Sequence, residues 1–233
     1  MNTANLRRVM KRGTFRRLVI RLRNRPSERH AMVGAADLWA MKRRFQFEFL
    51  TKHGLKPGDR LMDMGCGTLR GGIPLIDLLE PGHYVGVESR PEVLDEARKE
   101  LAEAGLEDKR PVLIQEADPA KVNVDEPVDY LWAFSVLIHF SDEILDACLG
   151  MAARVMAPGG RFYANVQIGE RNDRRWGKFP WVWRPEEYYR EVAARHGLDM
   201  SEVGTLKSLG HKTGSPEQDD GVMLCFTHRA AAS

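Results

Sequence analysis

Apolar positions along this chain alternate between short unbroken runs and longer stretches spaced every three or four residues, a pattern that predicts strands and helices in turn. The short runs are Arg60-Leu61-Met62, Tyr84–Glu88, 111–118, 128–134 and 161–166, with a closing pair near 198–206 and 221–228. The helical spacings lie between them. Leu38, Met41, Phe45 and Phe49 form one face of a helix that Asp37 is placed to cap. A second helix runs on to about Leu79, and Val93, Leu94, Ala97 and Leu101 mark a third, opened by Pro91. Asp142 is placed to cap a fourth, with Ile144, Leu145, Cys148, Leu149 and Ala152, and 185–196 reads as a fifth. Pro81-Gly82 and Ala157-Pro158-Gly159-Gly160 supply turns between elements. Strand and helix in alternation predict an α/β, doubly wound sheet. No internal repeat, low-complexity stretch or second domain is visible, and 233 residues fit one large domain with its own core.

The first strand carries the most specific chemistry. It ends at Asp63 and runs into Met64-Gly65-Cys66-Gly67-Thr68-Leu69-Arg70-Gly71-Gly72, a glycine-rich turn ahead of a helix. Strand, turn and helix in this order let backbone N–H groups approach a nucleotide-like ligand. A dinucleotide turn needs glycine at its first, third and sixth positions, and the sixth counted from Gly65 is Arg70. S-adenosylmethionine has no phosphate and ends in a zwitterion beside a sulfonium. The acid Asp63 suits its ammonium and would repel a pyrophosphate. Glu88 ends the second strand 21 residues after Gly67, where a carboxylate can accept both ribose hydroxyls of an adenosyl group. Asp118 ends the third and can accept from an adenine amino group.

With these residues the chain resembles the class I S-adenosylmethionine-dependent methyltransferases, most of all bacterial small-molecule members whose cofactor turn reads Gly-Cys-Gly-Thr-Leu-Arg-Gly-Gly. The resemblance covers roughly residues 35 to 228. It implies a Rossmann-like, mostly parallel seven-stranded sheet with an antiparallel last strand. It also implies that Asp63, Gly65 and Gly67 line the methionine end, Glu88 holds the ribose and Asp118 the adenine. Cys66 and Ser135 complete the candidate cofactor set. The chain departs from many members at Leu69, where they carry a third glycine.

Charge is unevenly placed. Residues 1–30 hold ten Lys/Arg against one acid, Glu28, so that +9 sits there and −7 on the rest of a chain whose formal net charge is +2. Residues 1–34 are therefore read as a basic N-terminal arm, helical or flexible, and 35–233 as the methyltransferase domain. The arm is open to three readings: a solubilising tail, a contact with RNA or anionic membrane, or a transit peptide. On this division, deleting residues 1–30 should leave cofactor affinity intact. Arginines interrupt every apolar stretch of the arm, which argues against a spanning segment or secretory signal. Three cysteines without a CxxC pair argue against a zinc site or disulfide scaffold and suit a reducing, cytoplasmic compartment.

The residues after strand four bear on the acceptor. Phe134-Ser135-Val136-Leu137-Ile138-His139-Phe140 lacks the Asp/Asn-Pro-Pro-aromatic run of exocyclic-amine nucleic-acid methyltransferases and offers no cysteine nucleophile for cytosine C5. The acids and amide of a catechol-type metal site are missing too. Direct transfer to oxygen, nitrogen or carbon of a small molecule is what remains, with oxygen or nitrogen the leading reading and positioning the main source of rate. His139 is the candidate base or substrate contact, with a structural role at a helix start as its alternative. The stretch 174–184, with Trp176, Trp181 and Trp183 among basic residues, is read either as a lid over an anionic substrate or as a structural plug. The start of the first helix, Leu38-Trp39-Ala40-Met41-Lys42-Arg43, is a second candidate stretch for substrate recognition, and its interleaved aromatic and basic residues keep RNA methylation open. A further alternative is a non-catalytic cofactor-binding protein tethered by its arm.

Overall fold

The computed structural model describes residues 28–230, apart from the side chains of Glu28 and Trp176. The basic arm up to residue 27 lies outside the described residues.

Five strands form the parallel part of the sheet; the inner ones are buried on both faces, as parallel strands covered by helices must be, while the edge strand Val112–Gln115 is exposed to half-buried. They are β1 Leu61–Met64, β2 Tyr84–Glu88, β3 Val112–Gln115, β4 Val128–Ala133 and β5 Met156–Ile168. They pair in parallel in the order β3-β2-β1-β4-β5. β8 Leu198–Thr205 and β9 Val222–His228 complete the expected seven, and β9 runs antiparallel to both β5 and β8. Alternation along each strand splits the core in two. Met62, Met64, Val87, Leu131 and Phe162 face one helical layer, while Leu61, Tyr84, Trp132 and Tyr163 face the other. Among the described residues no helix is long and apolar enough to cross a membrane.

Two further strands lie where the sequence suggests a loop. β6 Asn172–Trp176 and β7 Phe179–Arg184 form a hairpin, and β7 continues the sheet from the end of β5 through Gln167↔Trp183 and Ile168↔Arg184. Its strands mix charge with tryptophan and lack clean alternation, which hides them from a periodicity search.

The helices are α1 Glu28–Ala31, α2 Trp39–Lys52, α3 Gly72–Leu78, α4 Pro91–Ala104, α5 Asp142–Val155, α6 Glu186–Arg195 and α7 Pro216–Asp219. On α4 the expected stripe of Val93, Leu94, Ala97 and Leu101 is buried. On α2 the buried face is rotated from the expected one. Trp39, Lys42, Arg43, Phe45, Gln46, Phe49 and Leu50 are inside, and Leu38 and Met41 are only half-buried. The polar members have interior partners. Arg43 donates to the Arg70 carbonyl at 2.9 Å and to Glu100 at 3.1 Å, and Gln46 accepts from the Trp132 indole at 3.1 Å. Asp37 makes no cap, because Ala35 precedes a short 3-10 turn there.

Nor does a break in packing fall at residue 34. Arg29 bonds Glu96, Glu100 and Glu103 of α4, and His30 stacks on Trp39 at 3.7 Å. The body thus begins before the expected boundary, and a deletion meant to test the arm alone has to stop at residue 27.

Ser141, rather than Asp142, caps α5 by accepting from the Ile144 N–H. The Asp142 carboxylate instead accepts from Arg184 at 2.8 Å and from Arg171 at 2.9 Å. The Arg184 side chain is 0% exposed against 38% for Asp142. Asp142→Ala should therefore cost about 2–3 kcal/mol, below the full penalty for stranding a buried charge because Asp142 keeps contact with water. Urea denaturation checks this, and an unchanged midpoint would show that Arg184 needs no carboxylate.

Candidate functional site

Strand order reverses between β1 and β4, and the crevice at their carboxyl ends is where an open α/β sheet binds ligands. A cavity of about 450 Å³ opens there, within the range of small-molecule sites. Its walls come from the β1 turn, the ends of β2 to β5, residues 32–35, α2, the hairpin and the β8–β9 loop.

The turn after β1 is built on two left-handed residues, Gly65 at φ +72° and Gly67 at φ +56°. A Cβ at Gly65 would strike Val136, and one at Gly67 would lie 2.8 Å from Val33. The Gly65 and Cys66 N–H groups both donate to the Val87 carbonyl, so they brace the turn against β2 rather than point at a ligand. Leu69, the departure from the three-glycine pattern, also adopts a left-handed φ of 60°. Its fully buried side chain joins the core beside Ile73, so packing there offsets a strained backbone.

Asp63 points from β1 into the wall and accepts from the Tyr84 hydroxyl at 2.7 Å. Burial raises its carboxyl from an ordinary 3.8 to about 7, against the opposing pull of the Tyr84 hydroxyl and the Arg70 guanidinium. Arg70 also lines the cavity, with its Nη1 on the Val33 carbonyl at 2.9 Å and its Nε buried without a partner. Cys66 is in the wall, but burial first, then Asp63 and Glu88, push its thiol well above the ordinary range and leave it a poor nucleophile.

Glu88 reaches the same cavity from β2. Its Oε1 accepts from the Arg90 N–H at 3.1 Å, the Arg90 Nε at 3.0 Å and the Ser89 hydroxyl at 3.3 Å, so one carboxylate oxygen is fixed by protein. Arg90 also holds the Met32 carbonyl at 3.2 Å, which ties residues 32–35 over the site. Asp118 does not join this wall. Its carboxylate accepts from the Ala120 N–H at 3.0 Å, capping a 3-10 turn, and pairs with Lys121 at 3.5 Å. Glu116, Ala117 and Pro119 line the cavity in its place. Ser135 does line it, at a left-handed φ of 60°, with its N–H on Asn165 Oδ1 at 2.6 Å.

His139 lies in the wall beside Phe179, with Nδ1 hydrogen-bonded to the Pro180 carbonyl. A carbonyl only accepts, so Nδ1 carries the proton and Nε2 keeps its lone pair. Burial lowers the pKa of this imidazole, which favours the neutral ring. From the hairpin, Trp181 lines the cavity with a buried indole N–H that has no partner. Trp183 stacks behind it at 5.3 Å under Arg174 and is not part of the lining. The backbone of Trp176 pairs with Phe179, and its side chain lies outside the described part.

Several polar wall residues carry no local sequence signal, among them Gln46, Asn165, Gln167, His211 and Gln218. Lys42, in the stretch 38–43 read as a candidate substrate contact, does line the cavity, on the same helical face as Trp39 and Gln46. His211 and Gln218 sit in a long loop, and only the strand order shows that this loop returns to the carboxyl edge.

The cavity therefore fits an adenosyl ligand with a charged amino-acid end. Glycine positions admit no side chain, one acid waits at each of two neighbouring strand ends, and no phosphate cradle is left in the turn.

Comparison with known proteins agrees. A family model described as a methyltransferase domain matches residues 62–162. The 27-O-demethylrifamycin SV methyltransferase of Amycolatopsis mediterranei (strain S699) is 31% identical over 110 residues, 46% of this chain. This chain spans only 38% of that relative's length. Among solved structures, the magnesium protoporphyrin IX methyltransferase of Synechocystis PCC 6803 with bound S-adenosylmethionine superposes with a TM-score of 0.61 at 17% identity, covering 81% of this chain and 78% of that one. A glycopeptide N-methyltransferase complexed with S-adenosylmethionine gives 0.60 at 18% identity, with 80% and 92% covered. The chain thus matches a methyltransferase domain over residues 62–162 and shares the Rossmann-like fold of S-adenosylmethionine-dependent methyltransferases.

Proposed function

We propose that this protein moves a methyl group from S-adenosylmethionine to an oxygen or nitrogen of a small molecule. The observation that carries this reading is the pairing of a side-chain-free turn at Gly65 and Gly67 with acids at the ends of β1 and β2 around one cavity. Asp63 would face the ligand's ammonium and Glu88 its ribose hydroxyls, with Cys66 and Ser135 in the wall between. Asp118 remains a proposal for the adenine edge only if it leaves its capping position. When bound, the cofactor supplies an activated methyl group, so the chain's own task is to hold the acceptor in line and keep water out. Residues 32–35 and the hairpin with Trp181 form the cover. His139 is proposed as base or substrate contact through its free Nε2.

Incubating the protein with methyl-labelled cofactor and a metabolite extract tests the reading. Label in a small soluble product supports it. Label in RNA alone would favour RNA methylation instead, and no transfer to any acceptor would favour a non-catalytic binder. The ten Lys/Arg of residues 1–30 motivate a proposed contact with RNA or anionic membrane, which deletion of residues 1–27 and raised salt should weaken alike. A cytoplasmic location is proposed on the same composition as before.

Asp63 gives this reading a pH signature. Its carboxyl is raised by folding, so its contribution to stability is full below the ordinary 3.8 and lost as pH rises to about 7. A ligand ammonium favours the ionised form, so binding should release a proton below that value. Affinity for S-adenosylhomocysteine should then climb from pH 5.5 to about 7 and level off. Asp63→Asn should bind weakly and without that slope. Calorimetry in buffers of different ionisation heat measures the released proton, and a flat profile in the native protein would remove Asp63 from the ammonium.

A further inference from the structure

The cavity has a second pole where α2 meets the β8–β9 loop. Lys42 and His211 line it with their side chains almost wholly inside, at 7% and 2% exposure. The Lys42 ammonium donates to Gln218 Oε1 at 3.0 Å and, among the described residues, has no carboxylate within ion-pair distance. A buried ammonium with two donors to spare is expensive to keep unless an anion comes to it.

His211 is held by its surroundings. Phe45 and Phe134 present ring contacts at 5.1 Å and 5.4 Å. Its Nδ1 stands 3.4 Å from Asp219 Oδ1, within ion-pair reach though not aligned as a hydrogen bond. Asp219 is itself fixed, accepting from the Thr213 N–H and hydroxyl at 2.8 Å each and from the Gly214 N–H at 3.1 Å. A carboxylate beside Nδ1 selects the tautomer protonated there, so the lone pair lies on Nε2. That nitrogen is buried and has no partner among the described residues. The charged groups around the ring are Lys42, Arg70 and Asp219.

We propose that this pole takes the methyl acceptor, a molecule with an acidic hydroxyl of the phenol or enol type, whose oxygen lies between the Lys42 ammonium and His211 Nε2. This deepens the methyltransferase reading and rests on it. The O–H bond breaks and an Nε2–H bond forms, while Lys42 balances the charge left on oxygen. The freed oxygen pair makes the new bond to the methyl carbon, and the old C–S pair stays on sulfur. Burial, then the Lys42 charge, hold His211 neutral down to about pH 4. An oxyanion beside Lys42 cancels the second of these causes, so the imidazole gains basicity as the acceptor loses its proton. Only an already acidic hydroxyl suits such a base, which is why the acceptor is placed in that class. His139, in the 3-10 turn after β4 and bonded to the hairpin at Pro180, is left with substrate contact.

The test uses the full chain saturated with S-adenosylhomocysteine and titrated with 4-nitrophenol, whose phenolate absorbs visible light and whose phenol does not. The bound probe should stay coloured below the pH at which free 4-nitrophenol bleaches. Lys42→Met should weaken its binding by at least about tenfold. His211→Gln should bind it colourless, and Asp219→Asn should fade the colour part-way. S-adenosylhomocysteine affinity should stay within about threefold of native in all three variants, which also shows that they fold. The proposal is overturned if 4-nitrophenol shows no binding that depends on S-adenosylhomocysteine, or if the colour survives in His211→Gln. It is overturned equally if Lys42→Met loses about tenfold in S-adenosylhomocysteine affinity, since Lys42 would then serve the cofactor's own carboxylate. A native chain that fails to bind S-adenosylhomocysteine would instead sink the methyltransferase reading beneath it.

Discussion

Gly67→Val is expected to abolish S-adenosylhomocysteine binding in a protein that still unfolds in one transition. Two effects combine. The residue sits at φ +56°, a backbone region that β-branched side chains resist at a cost of about 1–3 kcal/mol. Its Cβ would also lie 2.8 Å from Val33, so the new side chain has to displace residues 32–35 or fill the space meant for ligand. Either outcome removes the cover or the cavity. We expect a loss of at least about hundredfold in affinity, or about 3 kcal/mol. Gly82→Ala is the control. Gly82 is also left-handed, at φ +85°, but a Cβ there meets nothing within 4 Å. It should lower the melting temperature through backbone strain and leave binding alone. If Gly67→Val binds as tightly as the native protein, the β1 turn does not touch the ligand.

Glu88→Ala carries the second largest expected effect. The carboxylate has Oε1 committed to Arg90 and Ser89, which fixes the orientation of the group without occupying Oε2. Charge-assisted hydrogen bonds to a ribose would be lost, worth about 1.5–3 kcal/mol, a ten- to hundredfold drop in affinity. Removing the acid also leaves the Arg90 guanidinium, which sits over Phe179, without its countercharge at the cavity mouth. Glu88→Gln should lose less, because the amide still accepts from Arg90. Calorimetry with S-adenosylhomocysteine separates the three proteins. Equal affinity for native and Glu88→Ala would mean that the ribose is not at the end of β2.

Sequence pattern revealed most of the scaffold and about half of the cavity. The parallel strands and α4 are legible because each is an apolar run or stripe bounded by Gly and Pro, and the physics of burial acts directly on such patterns. Asp63 and Glu88 are legible because a strand end after a glycine turn fixes where a side chain must go. Asp118 has the same sequence signature, yet its carboxylate has a nearer partner in the Ala120 N–H, and local capping won over the cavity. Asp142 fails in the opposite sense. Its neighbour Ser141 caps the helix, because the acid is drawn to Arg184, 42 residues away. The buried face of α2 was misread because Lys42, Arg43 and Gln46 are polar, and hydrophobic periodicity assigns polar residues to solvent. His211 and Gln218 depend on the return of the β8–β9 loop to the carboxyl edge, a consequence of β9 running antiparallel that no local pattern announces.

One adenosyl ligand with a charged amino-acid end is expected to bind at the β1 turn. Titrating the full native chain with S-adenosylhomocysteine, and separately with NAD, tests it most directly. Saturable heat at one site per chain is expected for S-adenosylhomocysteine and none for NAD, whose pyrophosphate would face Asp63. Heat with NAD, or none with S-adenosylhomocysteine in a protein with a normal melting transition, would contradict it.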